Sequence, residues 1–439
     1  MKKLAYLLFV MLSVAFLLLG CSKENNKEDK KTDSGESKLE RIAGTWEGSI
    51  NIPNQPLPII IVFTSDGGTI SIPVQGIDQH PLSNINIKNN NVAFAMDIQS
   101  QQITFNGKVD GEKITGTFKQ SGQSFPFELK KGTGEATKEV KEVGEAVHME
   151  LKDGTMKGLL TIPEGEGPYP LMVIISGSGP TDKDGNSNVL SGKNDSLKML
   201  AEDLAAQGVA SIRYDKRGIG QNISLGGKEE DVLFDNFIED AASWVQFAKA
   251  DKRFSKVGII GHSEGSLIGM TAADEAKADA FISISGAGRT IDQVILEQLE
   301  GQLSENLMKE SKDIFEQLKQ GKQVKSFSAD LQNLFRLSVQ PYLISWLQYN
   351  PQEQLQKLDC PVFIINGDRD LQVPVKEAEL LHGAKKDSDY LIVDKMNHIL
   401  KESPEDQKGN MDTYTNPDLP LASGLVDNIV NFLNNHNVK

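Results

Sequence analysis

The chain has 439 residues, 38% hydrophobic and 6% aromatic, which suits two or three globular domains with real cores. Its formal net charge of −15 excludes the basic face of a nucleic-acid binder and otherwise bears on solubility rather than fold. The two cysteines, Cys21 and Cys360, stand in unrelated contexts, so a disulfide framework is excluded, and no zinc-type Cys/His spacing occurs.

Lys2 and Lys3 precede an uncharged apolar run from Leu4 to Leu19, the layout of a secretory signal over residues 1–20. A plain transmembrane anchor is the competing reading, but the run is short of the ~20 residues a spanning helix needs. Leu18-Leu19-Gly20-Cys21 resembles the lipobox of bacterial lipoproteins. The resemblance implies cleavage before Cys21, a diacylglyceryl group on its thiol and an acylated amino terminus with palmitate-type chains. Such a chain would be extracytoplasmic and lipid-anchored to the bacterial cell membrane, since two acyl chains hold where one binds marginally. "SKENNKEDKKTDSGESK" has no aliphatic or aromatic side chain, which predicts a disordered tether over 21–38.

From 39 to 132 the hydrophobic period is 2. "LPIIIVFTSDGGTISIPV", "INIKNNNVAFAMDI", "QQITFNGKVDGEKITGTFKQ" and "QSFPFELKK" are strand-like runs separated by the turn chemistry of "SDGG", "KNNN" and "VDGEK". The reading is a small antiparallel all-β domain of six to eight strands, a barrel or a curved sheet, acting as spacer or docking module. "GTWEGSI" bears a faint resemblance to the first strand of lipocalin- or avidin-like barrels, and a barrel mouth is a place for a ligand. His80, beside Pro81, reads as a loop residue. Residues 133–145 are charged and read as a linker.

The texture changes at 146–439. "VHMELKDGTMKGLLTIP" reads as a hairpin, "YPLMVIISGSGP" as a buried strand entering a Gly-rich loop, and "LKMLAEDLAAQG" as a helix with a Gly stop. The strands "VASIRYD", "KVGIIGH", "AFISIS", "CPVFIING" and "DYLIVD" alternate with helical segments, which predicts an α/β fold with a mostly parallel sheet covered on both faces. Chemistry in such sheets sits at the carboxyl ends of the strands. Residues 289–358 are helical and amphipathic, in the position of a cap. Trp346, Phe335 and Tyr342 there read as core first and as acyl-pocket lining second.

Gly261-His262-Ser263-Glu264-Gly265 lies between the strand "VGII" and the helix "SLIGMTAADEA", the setting of a nucleophile elbow. A lone G-x-S-x-G is weak; this context makes Ser263 a candidate nucleophile. The Glu264 amide, at the start of the next helix, would face a developing oxyanion. A nucleophilic serine needs a base held by a carboxylate. Of six histidines, His80 is in the other domain, His148 starts the first hairpin, and His262 is beside the serine with its ring expected to point away. Downstream, His382 lies within a helix and His436 in the C-terminal tail, whereas His398 follows the strand "YLIVD" in a loop. His398 is the candidate base.

The 145–437 region is similar to the alpha/beta-hydrolase superfamily, in which a G-x-x-D-x-x-V-P run carries the acid. Gly367, Asp370, Val373 and Pro374 match it, which implies Asp370 rather than Asp368 as the orienting carboxylate. Many relatives read His-Gly-x after the first parallel strand, with the third residue donating its amide to the oxyanion. Here the loop is Ser176-Gly177-Ser178-Gly179-Pro180, so Ser178 is the implied donor, Gly177 the fallback, and serine stands where the relatives have histidine. "YDKRGIGQN" resembles the superfamily's D-x-R-G-x-G-x-S loop with Asn222 for its last serine, and Asp215 and Arg217 are read as structural. The resemblance implies a serine hydrolase of carboxylic esters working through an acyl-enzyme, on a small-molecule ester, without metal or cofactor. A serine peptidase or aminopeptidase on the same fold is the alternative, and would need cap carboxylates to hold a free amine; Glu300, Glu305 and Glu310 read instead as a solvated face. A ligand-binding lipoprotein with a vestigial hydrolase domain is the reading from another class. Cys360, before Pro361, reads as an inert small hydrophobe.

Overall fold

The strand runs of the amino-terminal third close on themselves. The computed structural model describes residues 39–52, 57–72, 77–98, 101–120, 123–132, 144–187 and 192–439. The expected signal, tether and linker, Cys21 included, lie outside these residues, apart from the last two positions expected for the linker. The chain divides into two compact units, with the division between residues 142 and 143.

In the first unit, β1 (Gly44–Ile50), β2 (Leu57–Phe63), β3 (Gly68–Ile72), β4 (Ile77–Lys88), β5 (Asn91–Ile98), β6 (Gln101–Asp110), β7 (Lys113–Gln120) and β8 (Gln123–Lys131) pair in order. β8 returns antiparallel to β1, from Trp46 opposite Lys131 to Ile50 opposite Phe127, so the result is a closed barrel. Two-residue turns join β4 to β5 and β6 to β7, where Asn89 and Gly111 take φ of 55° and 59°, the left-handed region those residues tolerate. Alternation puts Ile59, Ile61 and Phe63 of β2 in the core. Phe94 stacks on Phe105 at 4.8 Å, and Phe127 meets Phe105 edge-on at 5.5 Å. The barrel interior is therefore a packed aromatic core. His80 belongs to β4, not to a loop, and its Nε2 hydrogen-bonds the Asp97 carbonyl at 2.9 Å. The misleading signal was Pro81, which the sheet accommodates beside a register shift between β3 and β4.

The second unit starts with the expected hairpin, β9 (Glu145–Leu151) and β10 (Gly154–Thr161). Then come β11 (Tyr169–Ile175), α1 (Ser196–Ala206), β12 (Ala210–Tyr214), α2 (Phe234–Ala250), β13 (Phe254–His262), α3 (Glu264–Glu275) and β14 (Phe281–Ile284). The cap region holds α4 (Ile291–Leu299), α5 (Glu305–Lys319), α6 (Gln332–Phe335), α7 (Gln340–Trp346) and α8 (Pro351–Gln356). β15 (Val362–Gly367), α9 (Val375–Ala384), β16 (Asp389–Val393), α10 (Gln407–Asp412) and α11 (Leu425–Asn435) complete it. The sheet order is β16-β15-β14-β13-β11-β12-β10-β9, parallel except for the pairs involving β10.

Both sheet faces are buried, as the near-continuous apolar strands require. Along β11, Met172 and Ile174 pack toward α1 and α11, whereas Leu171, Val173 and Ile175 pack toward α2 and α3. Of the cap aromatics Phe335 and Tyr342 are buried and Trp346 is partly buried: Phe335 meets Phe315 edge-on at 4.9 Å, and Trp346 stacks on Phe234 of α2 at 5.2 Å. That packing anchors the cap on the sheet unit.

Candidate active site

β13 ends in a turn with no room for a Cβ at Gly261 or Gly265. Ser263 has φ 55° and ψ −120°, a sparsely populated conformation, and caps α3. A Cβ on Gly261 would lie 2.2 Å from the Gly265 carbonyl oxygen, and one on Gly265 would lie 2.5 Å from that of Ile175. Both glycines are thus demanded by the closeness of helix and strand. The turn is pinned from below where the Ser263 N–H donates to the Ile284 carbonyl at 2.9 Å.

The loop after β15 supplies the carboxylate. Asp370 Oδ2 accepts from His398 Nδ1 at 2.8 Å, and Oδ1 accepts from the amides of Gln372 and Val373 at 2.8 and 2.9 Å. Burial alone would raise this carboxyl, but the His398 charge and these hydrogen bonds hold it below the usual carboxylate range. Of the two aspartates in this loop, Asp370 is the one paired with His398. His398 follows β16 in a loop held by its neighbour: Asn397 Nδ2 donates to Thr413 Oγ1 at 2.7 Å and its Oδ1 accepts the Lys401 amide at 3.1 Å. His382 sits in α9 and His436 at the end of α11, bonded to Asp389.

His262 does not point away from the site. Its Nε2–H donates to the His398 carbonyl at 2.7 Å, and the two rings lie 4.9 Å apart. The serine turn and the histidine loop are stitched together by that bond. Burial, with the His398 charge second, pushes His262 down to about 3, so it stays neutral.

The Gly-rich loop after β11 runs beside the serine: a Cβ on Gly177 would lie 3.2 Å from Ser263 Cβ and 3.6 Å from its Oγ. Thr181 Oγ1 closes this loop by donating to the Ser178 carbonyl at 2.8 Å. The neighbouring D-x-R-G-like loop is structural as expected. Asp215 accepts the Lys183 and Gln221 amides, Arg217 grips Asp240, and buried Asn222 bonds both the N–H and the carbonyl of Lys157 in β10. Sequence reasoning passed over Lys216 between them. Its Nζ donates to the Gly177 carbonyl at 2.5 Å and to Glu264 Oε2 at 2.8 Å, and Tyr342 of α7 donates to Glu264 Oε1 at 2.6 Å. The one available signal was a lysine two residues past the carboxyl end of the buried strand β12, where burying a charge is costly. Burial first and Glu264 second push the Tyr342 hydroxyl up, so it stays a donor.

Glu300 and Glu305 are exposed, and Glu310 is occupied by the amide and hydroxyl of Ser328 at 2.7 and 2.5 Å. Burial raises the Cys360 thiol to about 11, which fits an inert residue. Among the described residues no group of His, Cys, Asp and Glu is arranged to hold a metal ion.

Residues 192–404 match the family model described as serine aminopeptidase, S33. The chain is 30% identical over 283 residues to esterase EstD of Thermotoga maritima, covering 60% of this chain and 65% of that protein. Its solved structural neighbours include Est1E of Butyrivibrio proteoclasticus, at 17% identity and TM-score 0.43 over 66% of this chain and 99% of that one. A Pyrococcus furiosus esterase structure matches at 16% identity and TM-score 0.43 over 67% and 91%.

Proposed function

We propose that the second unit is a serine hydrolase that cleaves carboxylic esters through an acyl-enzyme. The observation that carries the reading is the buried Asp370–His398 pair at 2.8 Å, in a loop hydrogen-bonded to the strained Ser263 turn. His398 takes the proton of Ser263 Oγ as that oxygen attacks the ester carbonyl carbon. The carbonyl oxygen becomes an oxyanion that accepts from the Glu264 and Ser178 amides. Collapse breaks the ester C–O bond, and His398 returns the proton to the leaving alcohol. Water, deprotonated by His398, then releases the acid and restores Ser263. Asp370 fixes the tautomer and stabilises the imidazolium without itself being protonated.

The likeness to esterase EstD supports the ester as substrate class. The peptidase reading draws on the matched family's description; of the three cap glutamates weighed for it, Glu300 and Glu305 are solvent-exposed and Glu310 is bonded to Ser328, so these three do not form a buried amine-binding pair. The filled barrel core argues against a ligand-binder built on the first unit. We further propose the extracytoplasmic, lipid-anchored location through Cys21, tested by release of the protein from membranes in Cys21→Ala.

The central test is hydrolysis of p-nitrophenyl acetate and butyrate beside aminoacyl-arylamides. Ester turnover that vanishes in Ser263→Ala and His398→Ala, with folding intact, is the expected result. Full ester activity in either variant would remove the triad, and turnover of arylamides alone would move the enzyme to the peptidase class. A fluorophosphonate should label the parent protein and not Ser263→Ala, which separates enzyme from binder.

A further inference from the structure

Three buried side chains meet behind the serine turn, and the proton-transfer chain leaves all three unused. Lys216, Glu264 and Tyr342 are each less than one-tenth exposed. Removing a lysine and a glutamate from water costs several kcal/mol per ion, and replacing such a pair by apolar residues is often neutral or stabilising. Stability alone therefore does not account for the arrangement.

Geometry does. The Lys216 ammonium holds the carbonyl of the peptide that joins Gly177 to Ser178. A peptide is planar, so fixing its carbonyl fixes the direction of the N–H at its other end, which is the Ser178 donor. A hydrogen bond to the carbonyl also polarises that N–H and strengthens it as a donor. The same ammonium holds the side chain of Glu264, whose backbone N–H is the other donor. One nitrogen thus ties together the two segments that must converge on one oxygen atom. Tyr342 of α7 takes the remaining carboxylate oxygen, so the cap contributes to the same lock.

We propose that Lys216 is a positioning residue that holds the two oxyanion donors in register, and that Tyr342 makes this register depend on the seating of the cap. The inference rests on the serine-hydrolase reading above. Its effect is confined to the tetrahedral state, where the oxyanion exists, and leaves ground-state binding of the ester untouched.

The experiment compares the parent enzyme with Lys216→Met, Tyr342→Phe and the double variant Lys216→Met/Glu264→Gln. The double variant avoids a lone buried charge and keeps the test valid if Lys216→Met does not fold. Circular dichroism verifies folding before p-nitrophenyl butyrate kinetics are measured. Loss of a whole oxyanion donor costs about 10²–10³ in kcat, so misplacing the donors is expected to lower kcat about 10²-fold, with KM within about threefold. Tyr342→Phe, which leaves Lys216 in place, is expected to lose about three- to tenfold in kcat. A trifluoromethyl ketone, which adds to Ser263 Oγ and places an alkoxide in the hole, should weaken in proportion to kcat. A folded double variant with unchanged kcat, or with a raised KM at unchanged kcat, overturns the lock while leaving the hydrolase reading intact. A parent protein that turns over no ester overturns both.

Discussion

Among the described residues of the barrel the buried side chains are Trp46, Phe63, Phe94, Phe105, Phe118, Phe127 and apolar residues between them. In the second unit the buried set also includes Arg213, Lys216, Asp240, Glu264, Asp370, Glu377 and Lys401. Among the described residues every buried polar or charged side chain lies between Thr161 and Thr413. Each costs free energy unless it is partnered, and most of them are: Arg217 with Asp240, Arg289 with Glu377, Lys216 with Glu264. The barrel shows that this chain can build a core from hydrocarbon alone. In the second unit buried polar side chains hold loops instead, as Asp215 does with the Lys183 and Gln221 amides and Asn397 with Thr413.

The largest expected effects test whether chemistry is confined to that interior. Ser263→Ala and His398→Ala should lower kcat for p-nitrophenyl butyrate by about 10⁴–10⁶ while near-ultraviolet circular dichroism is preserved. Asp370→Asn keeps the hydrogen-bonding shape but permits the wrong imidazole tautomer, and should cost about 10⁴. Comparable activity in Asp368→Asn and the parent would sharpen the assignment between the two aspartates, because Asp370 alone of the two bonds His398.

The same contrast is tested from the barrel side by Phe105→Ala. Phe105 is fully buried and touches the rings of Phe94, Phe118 and Phe127. Its truncation should destabilise the barrel by about 3–5 kcal/mol, read as a lowered unfolding transition, with kcat for the ester unchanged. A parallel fall in kcat would break the division of labour between the units.

Much of this arrangement was legible because it follows local rules. The period-2 runs foretold the antiparallel strands, and the order of strand, turn residues and helix foretold the parallel sheet and the Ser263 turn. His398 is marked by its place just past a strand end, whereas that position leaves Asp368 and Asp370 both open and only the resemblance of Gly367, Asp370, Val373 and Pro374 to the superfamily's acid run implies Asp370. What escaped was interaction at a distance. Lys216 stands between Asp215 and Arg217 in sequence, and only folding brings it to the Gly177 carbonyl and to the Glu264 carboxylate that Tyr342 also bonds. The bracing of the histidine loop by Asn397, Asn410 and Thr413 uses residues in a segment without hydrophobic period, so no pattern marked it. His262, expected to point away from the serine beside it, meets instead the loop bearing His398, a contact that no local pattern marks.

The smallest predicted effect concerns His262 and is read as pH dependence of stability. Its value in the folded protein, about 3, lies below the ordinary 6.5. Between those limits the unfolded chain binds a proton that the folded chain refuses, so this residue makes stability fall as pH falls through that window. Asp182 works in the opposite sense. Burial, with Asp184 second, raises it to about 6, so between about 4 and 6 the folded state holds the extra proton and stability rises as pH falls. The two nearly cancel in the parent protein, and single substitutions separate them. His262→Gln keeps a donor for the His398 carbonyl and removes the titration. Relative to the parent, its stability should improve by about tenfold in the folding constant per unit of acidification between pH 6 and 4.5. Asp182→Asn should move the other way over the same range. Urea titrations at pH 6, 5.2 and 4.5 measure both, and a His262→Gln curve parallel to the parent's would mean that His262 is charged in the folded protein and that its burial beside His398 is tolerated.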